Sequence, residues 1–199
     1  MIPYIYNSTR IYIKALPQDI EPLLAQCSPQ IVEKINNCSS QRRKREIIAS
    51  HLLIKEIFSD GASIAHDENG TPLLIGAQGY ISISHSATEI AIAVDTHHPI
   101  GIDIENWRDQ LIKVKSRFLS QKEIEEYATP QLMLKAWTIK EAVYKVAQSP
   151  GISLADDIML PLSSEENIAK ANTHNGIKEF QIQEIISTPL RCITLAYPI

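Results

Sequence analysis

The chain has 199 residues, 44% of them hydrophobic, which is enough for a substantial core in one domain or two small lobes and too apolar for a disordered chain. Its formal net charge of −4 leaves no electrostatic footprint for nucleic acid or for an anionic membrane surface. Three unclustered cysteines (Cys27, Cys38 and Cys192), no apolar run of membrane-spanning length and no basic-then-apolar leader at residues 1–6 together predict a reduced, cytoplasmic protein, neither exported nor membrane-bound.

Tyr4 to Leu16, rich in β-branched and aromatic residues, predicts an opening strand closed by Pro17. A polar stretch with Pro22 and Pro29 leads to a helix over Gln41–Phe58, whose broad apolar stripe follows the basic cluster Arg42-Arg43-Lys44-Arg45. Short extended segments come next around Ile64, at 73–75, 80–85 and 90–94, punctuated by Asn69-Gly70, Pro72 and Gly79. In the second half, residues 100–106 read as a strand. Ser120 with Glu123 forms a capping box opening a short helix, and residues 131–148 form a long helix stopped by Ser149-Pro150-Gly151. After a segment near Ile158 and Met159, residues 176–186 and 191–197 read as two strands. The fold class is therefore α+β, with two similar lobes at 1–98 and 99–199, each a long helix packed on a small, mainly antiparallel sheet.

Two places carry chemistry. In the strand Gly101-Ile102-Asp103-Ile104-Glu105 the two acids share a face while the isoleucines point into a core. On the long helix, Glu141 and Lys145 each lie roughly 160° from Val143, away from the buried stripe of Ala136, Ile139, Val143 and Val146. Taken alone, Glu141 and Lys145 read equally as a common surface ion pair worth ~0.2–0.5 kcal/mol. Three carboxylates converging from strand and helix favour a hard divalent cation, Mg²⁺ above all. Ser84-His85-Ser86 lacks the nucleophile elbow of a serine hydrolase. No phosphate-binding glycine loop is present, and His51, His66, His97, His98 and His174 show no zinc spacing.

Ser82-Ile83-Ser84-His85-Ser86, Pro99 through Glu105, Arg117-Phe118-Leu119-Ser120 with Glu123, and Trp137-Thr138-Ile139-Lys140-Glu141-Ala142 with Lys145 follow one another in an order that resembles the Sfp-type 4′-phosphopantetheinyl transferases. The resemblance spans about residues 41–160. It implies a pseudo-twofold, two-lobed α+β monomer that moves the phosphopantetheine arm of coenzyme A onto a serine of an apo acyl or peptidyl carrier protein, as a holo-carrier-protein synthase does, and releases adenosine 3′,5′-bisphosphate. By the same likeness Asp103, Glu105 and Glu141 match the Mg²⁺ acids and Lys145 a lysine near the diphosphate. Lys140 is a candidate second phosphate contact, His85 a contact to the nucleotide portion and Arg45 a contact to its 3′-phosphate. Glu141 is also the candidate acceptor of the serine proton, directly or through a metal-bound water, and Lys113, Lys115 and Arg117 mark the expected carrier-protein docking segment.

The chain departs from that pattern where many members have Gly-Lys-Pro or Gly-Arg-Pro, since Gly70-Thr71-Pro72 lacks the cation, and where His51 stands in place of an arginine some members carry. Two alternatives remain open at this level: another Mg²⁺-dependent diphosphate enzyme, against which the absence of a Glu-rich Nudix helix speaks, and a non-catalytic module binding coenzyme A or carrier protein.

Overall fold

The computed structural model describes residues 2–161 and 167–199. Strands β1 (Tyr4–Tyr6) and β2 (Thr9–Ala15) open the chain, followed by helices α1 (Pro29–Asn36) and α2 (Gln41–Phe58). A small hairpin, β3 (Ser63–His66) and β4 (Pro72–Ile75), precedes β5 (Tyr80–His85) and β6 (Glu89–Asp95). The second half runs β7 (Gly101–Asn106), α3 (Gln110–Val114), α4 (Gln121–Glu126), α5 (Pro130–Ala147), β8 (Ile158–Met159), β9 (Ile168–Thr173), β10 (Gly176–Ser187) and β11 (Arg191–Pro198). Pairing is antiparallel throughout, in one sheet ordered β1-β2-β6-β5 and another ordered β7-β11-β10-β9-β8, with β3-β4 separate. Among the described residues no helix is long and apolar enough to cross a membrane.

The α+β expectation holds, and local chemistry explains most boundaries. Ser40 caps α2 by accepting from Arg43 N, and Ser120 and Glu123 complete both halves of the capping box at α4. Residues 4–16 are not one strand. Asn7 takes a left-handed φ of 51° and folds the segment into the β1–β2 hairpin, a conformation asparagine tolerates better than most residues.

Each long helix covers one sheet. Ala49, Leu53 and Ile54 of α2 pack on Ile81, Ile90 and Ile92, while Ala136, Ile139 and Val143 of α5 pack among Ala169, Ala171 and Phe180. A third cluster lies between the sheets, where Ala91 and Ala93 of β6 meet Ile102 and Ile104 of β7 and Ile193 and Leu195 of β11. Strand β6 is buried on both faces, with large side chains toward α2 and alanines toward the other sheet.

Strand β7 is the edge of its sheet, and its two faces do different work. Ile102 and Ile104 enter the inter-sheet core, while Gly101, Asp103 and Glu105 alternate onto the face turned to α5. A Cβ on Gly101 would lie 2.0 Å from Ala142 O, so only glycine lets α5 approach this closely. Gly101→Ala is expected to destabilise the protein by about 1–3 kcal/mol through overpacking. A urea denaturation midpoint equal to wild type would contradict this close approach.

Candidate active site

Because β7 and α5 are held in backbone contact at Gly101, the acids of the strand and the polar face of the helix meet. Asp103 is 5% exposed, and its Oδ1 accepts hydrogen bonds from Ser84 Oγ at 2.6 Å and Lys145 Nζ at 2.8 Å. Lys145 Nζ also donates to Ile102 O at 2.8 Å. The second oxygen of Asp103, Oδ2, is buried with no hydrogen-bond partner among the described residues.

Glu105 Oε2 accepts from Arg108 at 2.9 Å and Oε1 from Asn106 N at 3.0 Å. Burial nevertheless raises the Glu105 carboxyl, with Asp103 adding repulsion and Arg108 opposing it. Glu141 is pushed up to about 7, first by burial, then by the negative charge of Asp103 and, after the opposing effect of Lys145, by Glu105. The charges of Asp103 and Glu105 both act on Glu141, opposed by Lys145 and Arg108, whereas at Glu105 the attraction of Arg108 outweighs the repulsion of Asp103.

Among the described residues no three His, Cys, Asp or Glu side chains are gathered in the arrangement that would hold a metal ion. Asp103 and Glu105 instead turn toward cationic side chains. The donor chemistry still fits a hard divalent cation. All three groups are carboxylates, one carries an unpartnered buried oxygen, and Glu141 has a charge that its surroundings resist.

A cavity of about 720 Å³ is lined by Lys145 and Tyr144 of α5, His85 of β5, Arg43 of α2 and Thr71 of the β3–β4 turn. His85 Nε2 lies 3.0 Å from Ser50 Oγ. Burial pushes its imidazole down to about 4, and Arg43, Lys145 and Arg42 add to the effect against the attraction of Glu46, so the ring is neutral at physiological pH. Glu46 pairs with Arg42 at 2.8 Å and Arg43 at 3.0 Å. Burial alone would raise the Glu46 carboxyl, but the hydrogen bonds from these two arginines bring it below the ordinary range.

Lys145 pairs with Asp103, Glu141 feels the charges of Asp103, Lys145 and Glu105, and His85, Thr71 and His51 all line the adjoining cavity. One expected contact is corrected. Lys140 is fully buried and donates to Glu123 Oε2 at 2.7 Å, Leu154 O at 2.8 Å and Ile158 O at 2.6 Å, so it faces the core and reaches no phosphate. Arg43 lines the cavity and Arg45 does not, two residues along a helix being a rotation of roughly 200°, while Arg45 Nε is buried with no hydrogen-bond partner among the described residues. Lys113 and Arg117 are exposed and Lys115 partly so, whereas Phe118 and Leu119 between the motifs are core. Ser84 joins the site beyond the residues the sequence assigns a role, and the alternation Ser82-Ile83-Ser84 on a buried strand is the signal that the two hydroxyls need partners.

Residues 99–189 match the family model described as the 4′-phosphopantetheinyl transferase superfamily. The match takes in Asp103, Glu105, Glu141 and Lys145 and leaves out Arg43 and His85. No curated protein matches the chain.

Proposed function

We propose that the chain, whose residues 99–189 match the 4′-phosphopantetheinyl transferase superfamily model, transfers the 4′-phosphopantetheine arm of coenzyme A to a serine of an apo carrier protein. The observation that carries this reading is the junction of two features at Lys145. On one side stand three carboxylates with an unpartnered oxygen, and on the other a cavity of about 720 Å³, within the size range of small-molecule and cofactor sites. The enzyme acts as a cytosolic monomer. The direct test is release of adenosine 3′,5′-bisphosphate from coenzyme A, which should require both Mg²⁺ and apo carrier protein. Release that is indifferent to the carrier would point to a hydrolase instead.

Asp103, Glu105 and Glu141 would hold Mg²⁺, which when bound neutralises charge developing on the diphosphate during phosphoryl transfer. Lys145, already beside Asp103, contributes a second positive charge at the end of the cavity nearest the acids. The serine oxygen forms its bond to the phosphorus bearing the pantetheine arm as the bond to the leaving adenosine 3′,5′-bisphosphate breaks. Glu141 accepts the serine proton. His85, neutral and held by Ser50, orients the nucleotide portion as a hydrogen-bonding group.

Arg43, rather than Arg45, presents a cation to the cavity that also contains Thr71 in place of the family's turn lysine. Arg43→Ala is expected to raise the coenzyme A KM about tenfold with kcat little changed, and less so for dephospho-coenzyme A, since hydrogen bonds to charged groups contribute about 1.5–3 kcal/mol. A larger KM effect from Arg45→Ala would restore Arg45 to that position.

Carrier proteins usually present an acidic helix beside the modified serine, while this chain has a net charge of −4, so attraction must be local. Exposed Lys113 and Arg117, partly exposed Lys115 and the 47%-exposed Ile112 form the proposed docking patch. The Lys113→Glu, Lys115→Glu pair should raise the carrier KM several-fold at low salt and leave the coenzyme A KM alone. An unchanged carrier KM across ionic strengths would move the docking surface elsewhere.

A further inference from the structure

The two sheets meet along their edge strands, β5 and β7, and beside the apolar cluster between them two serine side chains hydrogen-bond across the joint. Ser82 and Ser84 lie two residues apart on β5 and so share a face, and they are 3% and 5% exposed. Ser82 Oγ accepts from Ile102 N at 3.0 Å, supplying the edge strand with a backbone partner. Ser84 Oγ donates to Asp103 Oδ1 at 2.6 Å. A buried hydroxyl is costly unless it is hydrogen-bonded, so each serine is accounted for by one bond across the joint.

The Ser84 bond acts on a carboxylate whose two oxygens are treated differently. Oδ1 receives Ser84 from the first sheet and Lys145 from α5, while Oδ2 receives nothing. Turning the carboxylate would break one or both Oδ1 bonds, so those two donors fix the direction in which Oδ2 presents its lone pairs. Ser84, unlike Ser82 and His85 on the same strand, does not line the cavity.

We infer that Ser84 is a positioning residue that holds Asp103 by Oδ1 and leaves Oδ2 as the oxygen offered to the divalent cation, so that the metal site in the second half of the chain is completed by a side chain from the first. The inference rests on the reading of Asp103 as a metal acid. Groups that orient a metal ligand in this way typically contribute 10–100-fold to metal affinity.

The test is Mn²⁺ binding followed by the electron paramagnetic resonance of the free ion, with coenzyme A present and no acceptor. Wild type, Ser84→Ala and Ser84→Thr are compared, and coenzyme A affinity in EDTA and metal-free melting are measured on each. Ser84→Ala should weaken Mn²⁺ binding by about tenfold, leave coenzyme A affinity in EDTA unchanged, and be rescued by Ser84→Thr, which keeps the hydroxyl. A merely structural role would lower the melting temperature and leave the Mn²⁺ affinity of the folded protein at the wild-type value, and that result overturns the inference. Equal weakening in both variants also overturns it, because the hydroxyl would not be the cause. Absence of saturable Mn²⁺ binding by wild type is a different failure, which removes the metal reading itself and the inference with it.

Discussion

Glu141→Gln should abolish transfer and at the same time make the metal-free protein more stable above pH 7. The Glu141 carboxyl is held at about 7 against an ordinary 4.5, so the folded state favours its protonated form. The sign follows from linkage: an acid raised in the folded state contributes stability that is fully present below its unfolded pKa and lost as pH rises through 7. In EDTA, wild type should therefore lose about 2–3 kcal/mol between pH 5 and pH 8 from this group, while the glutamine variant loses less and is the more stable at pH 8. Transfer by the variant should fall at least about 100-fold, the scale of removing one preorganised electrostatic contact in a transition state. Asp103→Ala should lose activity on the same scale. Urea denaturation across the pH range checks the first half, and a pH dependence identical in wild type and Glu141→Gln would contradict the crowding of the three acids.

Lys140→Ala should unfold the protein far more readily, by about 3–5 kcal/mol, because it breaks a buried ion pair from one side. Burial lowers the Lys140 ammonium, and the hydrogen bond and charge of Glu123 oppose that shift. With the lysine gone, two backbone carbonyls, Leu154 O and Ile158 O, lose their ammonium donor. Among the described residues Glu123 keeps the backbone donors Ser120 N and Leu160 N against its buried charge. The pair ties α4 and the segment ahead of β8 to the helix that carries Glu141, so loss of activity should follow loss of fold. A variant with wild-type stability and a raised coenzyme A KM would show instead that Lys140 contacts the substrate.

Much of this frame is readable from local sequence because its causes are local. The α2 helix starts where Ser40 caps it, α4 starts at its capping box, and the Asp-x-Glu alternation of β7 puts both acids on one face. Lys140 was readable too. It lies roughly 60° from Val143 on the helix, inside the apolar stripe, so its ammonium had to find buried acceptors. Strand β9 was harder, since Ile168-Ala-Lys-Ala-Asn-Thr alternates but buries mainly alanines, weak strand formers that owe their place to β10 and α5.

Long-range contacts account for the rest. Arg43 displaces Arg45 at the cavity wall because the cavity is framed by β5 and the β3–β4 turn, whose positions no helical period on α2 encodes. Ser84 meets Asp103 only because two sheet edges come together 19 residues apart in sequence.

The most direct test of transferase activity is the intact mass of an apo carrier protein after incubation with enzyme, Mg²⁺ and coenzyme A. A panel of fatty-acid, polyketide, nonribosomal-peptide and lysine-biosynthetic carriers also identifies the acceptor class. A phosphopantetheine mass added at the acceptor serine by wild type, and not by Asp103→Ala or in EDTA, is the result predicted here. Unmodified carriers across the whole panel, with folded enzyme and saturating Mg²⁺ and coenzyme A, would contradict it.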